Sequence, residues 1–249
     1  MLMEEKKENK PGFGEDAVYD QSSRAEAVLD QILHSETEEE KPQADAESEV
    51  AVDEELKSRP ILDFETGRDR ARVLFVTENE QVLEEGSAAA AEYLELAGAF
   101  DETHVMILIP RAGKDAFVRA QKNVWFYKIH DKDWQNLPDA ALRAAKEALT
   151  WNDTVRPDVI VGLDPFVAGL AAYEIARSFA RPIQIHIKTD FQNDNFLTLH
   201  EGNDLRKRMA EKLLRQVKSV RVKTVAQRKK LAEQYRQITD LGTLPRFYN

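Results

Sequence analysis

The sequence predicts an α/β protein with a Rossmann-like, doubly wound parallel sheet, preceded by a disordered acidic tail. From about residue 70 to residue 240, short apolar runs alternate with segments of helical length. Charge is also segregated along the chain. Residues 1–68 carry 20 Asp/Glu and 8 Lys/Arg, a net of −12, whereas residues 69–249 carry 25 and 27, a net of +2. The net charge of −10 for the whole chain therefore belongs to the tail.

The tail, residues 1–68, is predicted to be mostly disordered because it has too little apolar surface to offset the entropy of ordering it. One segment differs from the rest. Ser23-Arg24-Ala25-Glu26 matches a capping box, and the apolar residues that follow it lie on one helical face. This pattern predicts a short helix at 23–34. The helix is either transient in a solvated tail or a segment that docks on a partner or on the domain.

Six short apolar runs predict the strands, which are residues 73–76, 105–109, 124–129, 159–163, 183–187 and 220–223. Five helices are predicted between and after them: one that Ser87 caps and Gly98 stops, then 138–149, 167–179, 203–218 with Asn203 or Asp204 as cap, and 227–236. Right-handed crossovers then favour the strand order 3-2-1-4-5-6. We expect one domain at 69–240.

In an open sheet of this kind, ligands bind at the carboxyl ends of the strands, between the first and the fourth. Candidate cleft residues in the loops at these ends are Glu78, Asn79, Gly86, Ser87, Asp164, Pro165, Phe166, His186, Lys188, Thr189 and Asp190. The first strand is not followed by a G-x-G-x-x-G loop, which argues against a dinucleotide site. Gly86 either lets an anionic group approach the next helix or simply ends a turn.

Several classes of site are excluded or disfavoured by composition. The chain has no cysteine, so disulfides, thiolate metal sites and cysteine nucleophiles are excluded. The histidines show no metal-ligand spacing, and we expect no metal. The first residues lack the apolar stretch of a signal peptide, and no window approaches the roughly 18 apolar residues of a membrane span. The expectation is a cytoplasmic protein.

Two segments resemble glycosyltransferase family 4 enzymes. The stretch PDVIVGLDPFVAGLAA at 157–172 resembles the family's DP-x-x-AGL-A region, and PIQIHIKTDF at 182–191 resembles its strand end. A long helix, the strand-like SVRVKT at 219–224 and a further helix follow in the family's order. The resemblance covers roughly residues 70–249 and has its best motifs in 157–230.

The resemblance implies the GT-B fold, in which two Rossmann-like domains face a cleft. This chain would be the acceptor-side domain of a retaining glycosyltransferase of the hexosyltransferase type, acting on a cell-envelope or surface glycan. It implies no tightly bound cofactor; a nucleotide-sugar would be the donor substrate, held mostly by a second domain. Residues 241–249 resemble the start of the linker to that domain, and the family's E-x7-E motif is not present. The chain as written is therefore expected not to transfer sugar alone.

The resemblance also suggests roles for two residues. Lys188 stands where the family usually has a histidine near the reacting sugar, and it could stabilise charge on a phosphate or leaving group. Alternatively it is a solvated lysine paired with Asp190. Asp164 either contacts the acceptor or caps the helix before Pro165. His186 lies two residues before Lys188, on the same face of the predicted strand.

Residues 201–236 carry 12 Lys/Arg and 4 Asp/Glu, a net of +8. Candidate contacts to a membrane or another anion are Arg206, Lys207, Arg208, Lys212 and Arg215. This basic face could be solvated, could meet anionic lipid at the inner face of a membrane, or could be screened by the acidic tail. No nucleic-acid partner is expected, because aromatic residues do not interleave with the cations. The alternative function is a non-catalytic binding module that uses this face and the tail helix.

Overall fold

The computed structural model describes residues 71–84, 86–96, 99–150, 157–193 and 195–244. The predicted tail, its helix at 23–34, Gly98 and residues 245–249 lie outside this set. The strands are β1 Arg72–Thr77, β2 Glu102–Ile109, β3 Ala116–Gln121, β4 Val124–His130, β5 Val159–Leu163, β6 Ile183–Ile187, β7 Ser219–Val222 and β8 Asp240–Thr243. The helices are α1 Ala88–Leu96, α2 Leu137–Thr150, α3 Val167–Ser178, α4 Phe196–Leu199, α5 Asn203–Leu214 and α6 Val225–Gln234.

The eight strands form one sheet in the order β3-β4-β2-β1-β5-β6-β7-β8. Every neighbouring pair is parallel except β3 and β4, which pair antiparallel. The six predicted strands are β4, β2, β1, β5, β6 and β7 in this arrangement, so the predicted fold class and the order 3-2-1-4-5-6 are confirmed. The two edge strands were not predicted.

Buried strands and helices on both faces build the core. Val73, Phe75 and Val105 share one apolar cluster with Tyr93 of α1, and the rings of Phe75 and Tyr93 meet edge to face at 5.7 Å. The opposite face carries α3. A Cβ built on Gly162 of β5 would lie 2.9 Å from the Cα of Gly169 in α3. Helix and strand therefore approach so closely that neither position has room for a side chain.

Helix boundaries differ from the predictions at three places. The helix predicted at 203–218 ends at Leu214 and begins after Gly202, which has a left-handed φ of 86°. Asn203 does not cap it; its side-chain amide donates to the carbonyl of Phe196 at 2.7 Å. The last helix begins at Val225 instead of 227, because Thr224 and Gln227 form a capping box.

The end of the described chain is part of the sheet. Residues 241–243 of the segment interpreted as a linker lie in β8, which pairs with β7. Arg221 of β7 is buried, and its guanidinium nitrogen Nη1 lies 2.9 Å from the carboxylate oxygen Oδ1 of Asp240. In the described residues, no helix is long and apolar enough to cross a bilayer.

Candidate functional site

A cleft of about 320 Å³ lies at the carboxyl ends of β1, β5 and β6. The chain runs from β1 to β2 on one side and reaches β5 on the other side of β1, so this is the switch point of the sheet. The cleft is lined by Thr77, Glu78, Asn79, Glu92, Tyr93, Leu163, Asp164, Phe166, Lys188, Thr189 and Arg206. Three carboxylates and two cations therefore meet hydroxyl and amide groups in one concave site.

Asp164 fixes the backbone at the ends of β5 and β6. It has a left-handed φ of 76°, which is costly for a residue with a side chain. Its carboxylate oxygen Oδ1 accepts hydrogen bonds from the backbone N–H groups of Lys188 and Thr189, each at 3.2 Å. Burial raises the pKa of the Asp164 carboxyl, and these backbone donors oppose the rise.

The alternative interpretation of Asp164 as a helix cap is wrong. Helix α3 begins at Val167, its N-cap residue is Phe166, and no side-chain hydrogen bond caps it there. Pro165 is buried and precedes the N-cap, so it is not the first helical residue. The positive φ of Asp164 turns its side chain to the end of β6 instead.

Lys188 faces a carboxylate from α1. Its ammonium Nζ lies 3.1 Å from Oε1 of Glu92, and the two side chains are 34% and 23% exposed. The alternative interpretation paired Lys188 with Asp190, whereas the structure pairs it with Glu92. The end of β6 and helix α1 are adjacent here because α1 follows β1 and packs back over the sheet. The lysine therefore presents a partly neutralised positive charge to the cleft.

Glu78 follows β1 and lines the cleft. Burial raises the pKa of its carboxyl. The positive charge of Arg206 lowers this pKa, and the nearby carboxylate of Asp164 raises it. The Arg206 guanidinium lies 5.5 Å from the centre of the Phe166 ring, which stacks on Phe196 at 6.0 Å. Arg206 is thus held at the mouth of the cleft.

Hydroxyl and amide groups complete the wall near β1. Tyr93 is buried, and burial raises the pKa of its hydroxyl, while Thr77 opposes the rise. The backbone N–H of Asn79 donates to Oγ1 of Thr77 at 3.1 Å. The side-chain oxygen of Asn79 accepts from the N–H of Gln81 at 3.1 Å and caps the short 3-10 helix Glu80–Leu83.

Six of the predicted cleft residues line the cleft: Glu78, Asn79, Asp164, Phe166, Lys188 and Thr189. Five do not: Gly86, Ser87, Pro165, His186 and Asp190. Ser87 caps α1, because its hydroxyl accepts a hydrogen bond from the N–H of Ala90 at 3.0 Å. Gly86 has a φ of 78° and supplies the turn before that helix.

His186 does not reach the cleft, and the sequence-based placement there needs correction. Its side chain is completely buried. Its Nε2 lies 2.7 Å from Oε1 of Gln184, whose amide donates to Ser219 at 3.1 Å. The Ser219 hydroxyl donates in turn to the carboxylate of Asp240 at 2.6 Å. The histidine belongs to a buried polar chain that joins β6, β7 and β8.

Five lining residues were not predicted for the cleft: Thr77, Glu92, Tyr93, Leu163 and Arg206. Thr77 and Leu163 end strands, so the topology argument could have included them. Glu92 and Tyr93 lie in the middle of α1, and only the packing of that helix on the sheet brings them to the site. Arg206 was predicted as a surface cation in α5. No local motif marks any of the three.

The basic face of α5 is not uniform. Arg206 and Arg215 are exposed, Lys207 and Lys212 are half-buried, and Arg208 pairs with Asp204 at 3.2 Å. The turn and helix after β7 add exposed Lys223, Arg228, Lys229 and Lys230. Beside Phe196 in α4, Leu197 and Leu199 are 45% and 64% exposed. Among the described residues, no three His, Asp or Glu side chains are grouped to hold a metal ion.

Comparison with known proteins gives no family assignment. No family model matches the chain. No curated protein matches it. Among solved structures, the chain is similar to a Listeria monocytogenes protein assigned as a UDP-N-acetylglucosamine 2-epimerase. The TM-score is 0.45 at 10% identity, over 69% of this chain and 44% of that protein's chain. The chain thus spans less than half the length of that protein.

Proposed function

We propose that this chain is the acceptor-side domain of a retaining glycosyltransferase that uses a nucleotide-sugar donor and a glycan acceptor. The observation that carries the proposal is the polar cleft at the carboxyl ends of β1, β5 and β6. Its carboxylates, hydroxyls and amide are the groups that hydrogen-bond sugar hydroxyls. The family resemblance of 157–172 and 182–191 falls on two of the loops that form this cleft.

In this proposal Lys188 and Asp164 have distinct roles. The Lys188 ammonium, held by Glu92, would stabilise negative charge that develops on the leaving group. Asp164 would position Lys188 and Thr189 through their backbone N–H groups and offer its remaining oxygen to an acceptor hydroxyl. Apart from the contact of Lys188 with the leaving group, no residue of this chain is assigned to the donor.

Binding to the isolated 249-residue chain tests the proposal. Neutral oligosaccharides and nucleotide-sugars would be titrated into 15N-labelled protein. We expect glycans to shift the amide signals of Lys188 and Thr189. We expect Asp164→Asn to weaken this binding, because it removes one charged acceptor. Lys229→Met, which removes an exposed lysine of α6, is the matched control and should leave binding unchanged. Absence of any shift at the β5 and β6 ends with every glycan would refute the proposal.

We also propose peripheral contact with an anionic membrane. Leu197 and Leu199 are exposed beside the cleft, and exposed cations lie on α5 and α6. Apolar side chains that enter the headgroup region and cations that face anionic lipid are a known combination for such binding. This arrangement would bring a lipid-linked acceptor to the cleft.

Vesicle sedimentation tests the membrane contact. The chain should sediment with vesicles of phosphatidylcholine and phosphatidylglycerol and not with phosphatidylcholine alone. Leu197→Ser with Leu199→Ser should reduce sedimentation. Phe117→Ser, which removes an equally exposed apolar side chain from edge strand β3, should not. Equal, negligible sedimentation with both vesicle types would rule out the membrane contact.

A further inference from the structure

We infer that the outer edge of β3 is a pairing surface for a second copy of this chain, with the two β3 strands joined antiparallel about a two-fold axis at Phe117. The two eight-stranded sheets then form one continuous sheet. The inference goes beyond the proposed function and does not depend on it. Strands β4 and β2 separate β3 from β1, where the cleft begins, so pairing at this edge leaves both clefts open.

Strand β3 exposes its whole length at the edge of the sheet. It stands at the end of the strand order, so within the described part of the chain β4 is its one neighbour. All of its residues are exposed. Phe117 and Val118 are 59% and 43% exposed, and neighbouring residues of a strand point to opposite faces. An exposed edge strand with apolar side chains is a template for pairing with another strand.

One face of β3 carries a self-complementary pattern of side chains. Phe117 packs against Tyr127, with ring centres 5.2 Å apart, and the Arg119 guanidinium lies 5.4 Å from the centre of the Trp125 ring. These contacts place Phe117 and Arg119 on the same face of the sheet. Asp115 is exposed and lies two residues before Phe117, so the alternation of side chains assigns it to this face too. An acidic, an aromatic and a basic residue therefore follow one another along the edge.

The two charges of this pattern are available to a partner. Among the described residues, neither Asp115 nor Arg119 forms an ion pair. One carboxylate oxygen of Asp115 accepts a hydrogen bond from the backbone N–H of His130 at 2.7 Å. The Arg119 guanidinium donates to the backbone carbonyls of Gln121 and Lys122. Each charge is thus oriented by uncharged backbone groups and is not neutralised by them.

Two-fold symmetry restricts the register of the pair. Residues that face each other across an axis normal to the sheet lie on the same face, so the axis passes beside one residue and its copy. With the axis at Phe117, the two copies of this ring meet and Asp115 faces Arg119 twice, which is favourable for both kinds of pair. Moving the axis by one residue opposes Lys114 with Lys122, and moving it by two opposes the two copies of Arg119. Only the axis at Phe117 combines opposite charges with an aromatic pair.

The paired segment is short, and the dimer is therefore weak. The register between β3 and β4 shifts between Arg119 and Gln121, which ends the regular part of β3 just after the paired residues. A contact limited to residues 115–119 of each copy is smaller than a standard protein interface. We expect a dissociation constant on the order of 0.1 mM. The dimer forms in concentrated solution, and the monomer prevails in dilute solution.

Sedimentation velocity of the wild-type chain is the first test. Concentrations from about 10 µM to about 1 mM bracket the expected dissociation constant, and the mean mass should rise from monomer toward dimer. Exchange of the outward-facing β3 amide hydrogens should slow over the same range. A chain that stays monomeric throughout overturns the inference. Slow exchange of these amides at every concentration also overturns it, because another segment would then cover the edge.

Charge reversal tests the register. Asp115→Arg sets positive charges opposite each other, and Arg119→Asp sets negative charges opposite each other, so each variant alone should dimerise at least about tenfold more weakly than wild type. An equimolar mixture of the two should recover the dimer, because each chain then supplies the sign that the other lacks. Lys122→Asp is the matched control: it reverses an exposed charge of the same sign as Arg119 beyond the paired segment, and it should dimerise as wild type does.

The mixture separates pairing from a folding defect. Loss of the Asp115 bond to His130 could destabilise one variant, but mixing would not repair that damage. Phe117→Lys changes an exposed side chain and sets like charges at the axis, so it should keep the fold, checked by circular dichroism, and abolish the dimer. The inference is overturned if the wild type dimerises while Phe117→Lys dimerises equally well. It is also overturned if the mixture of two folded charge variants is no heavier than either variant alone.

Discussion

The buried side chain of His186 predicts how the stability of the domain depends on pH. Its imidazole is completely buried in β6 and bonded to Gln184. Burial lowers the pKa of His186 most, and together with the positive charges of Lys188 and Arg221 it brings this pKa to about 3. The folded protein therefore holds this ring neutral across the physiological range, whereas the unfolded chain does not once the pH is acidic.

The size of the effect follows from the two pKa values. In the unfolded chain the ring has a pKa of 6.5, against about 3 in the fold. As pH falls through 6.5 the unfolded state binds the proton first, so the free energy of unfolding decreases. Linkage gives a loss of about 2 kcal/mol between about pH 7.5 and pH 5 from this one residue. The loss continues until the pH approaches the folded pKa.

Urea unfolding of the wild-type chain and of His186→Gln at several pH values measures this loss. The substitution lowers stability at every pH, since it alters a buried hydrogen bond, but it removes the titrating group. The difference in free energy of unfolding between the two proteins should therefore shrink by about 2 kcal/mol from pH 7.5 to pH 5. Titrating carboxyls are common to both proteins and cancel in the comparison. A difference that stays constant with pH would refute the assignment of a buried neutral histidine.

Two further predictions concern the ends of α3. Gly169→Ala should destabilise the domain by about 1–3 kcal/mol, because the new Cβ would lie 2.7 Å from the backbone oxygen of Asp164 and 2.7 Å from Cδ2 of Leu213. Thermal unfolding measures this loss of stability. An unchanged melting temperature would contradict the close packing at Gly169. Ala180→Gly should stabilise the domain by about 0.5–1 kcal/mol, because Ala180 follows the helix with a positive φ of 48°, which glycine adopts without strain. A lower melting temperature of this variant would show instead that the Ala180 methyl group contributes contacts.

The sequence predicts the interior of the sheet well and its edges poorly. The central strands are buried on both faces, so their apolar runs stand out without any knowledge of neighbours. Strand β3 is exposed along its whole length, and β8 is a four-residue strand that contains a glycine. Both are strands because a neighbour supplies hydrogen-bond partners, and that information is not local.

The cleft residues likewise divide into those that the sequence predicts and those that only tertiary packing brings to the site. Residues that end strands, such as Glu78 and Thr189, were predicted because parallel strands bring their carboxyl ends to one edge. Glu92 was missed because it occupies an ordinary helical position and reaches Lys188 only through tertiary packing. Asp164 was correctly predicted at the carboxyl edge of the sheet, but the alternative role as a helix cap was wrong. It has a left-handed φ, which no sequence pattern predicts for an aspartate, and its carboxylate bonds to the backbone of Lys188 and Thr189.

The lysine at the end of β6 and the neutral histidine behind it form one electrostatic unit. Side chains two residues apart in a strand lie on the same face, and the Lys188 charge is one of the causes that lower the pKa of His186. A proton on the ring is therefore opposed by burial first and by the Lys188 charge in addition. Gln184 accepts the ring's hydrogen bond, its amide donates to Ser219, and the Ser219 hydroxyl donates to Asp240. The buried polar chain thus gives the neutral ring a hydrogen-bond partner inside the sheet.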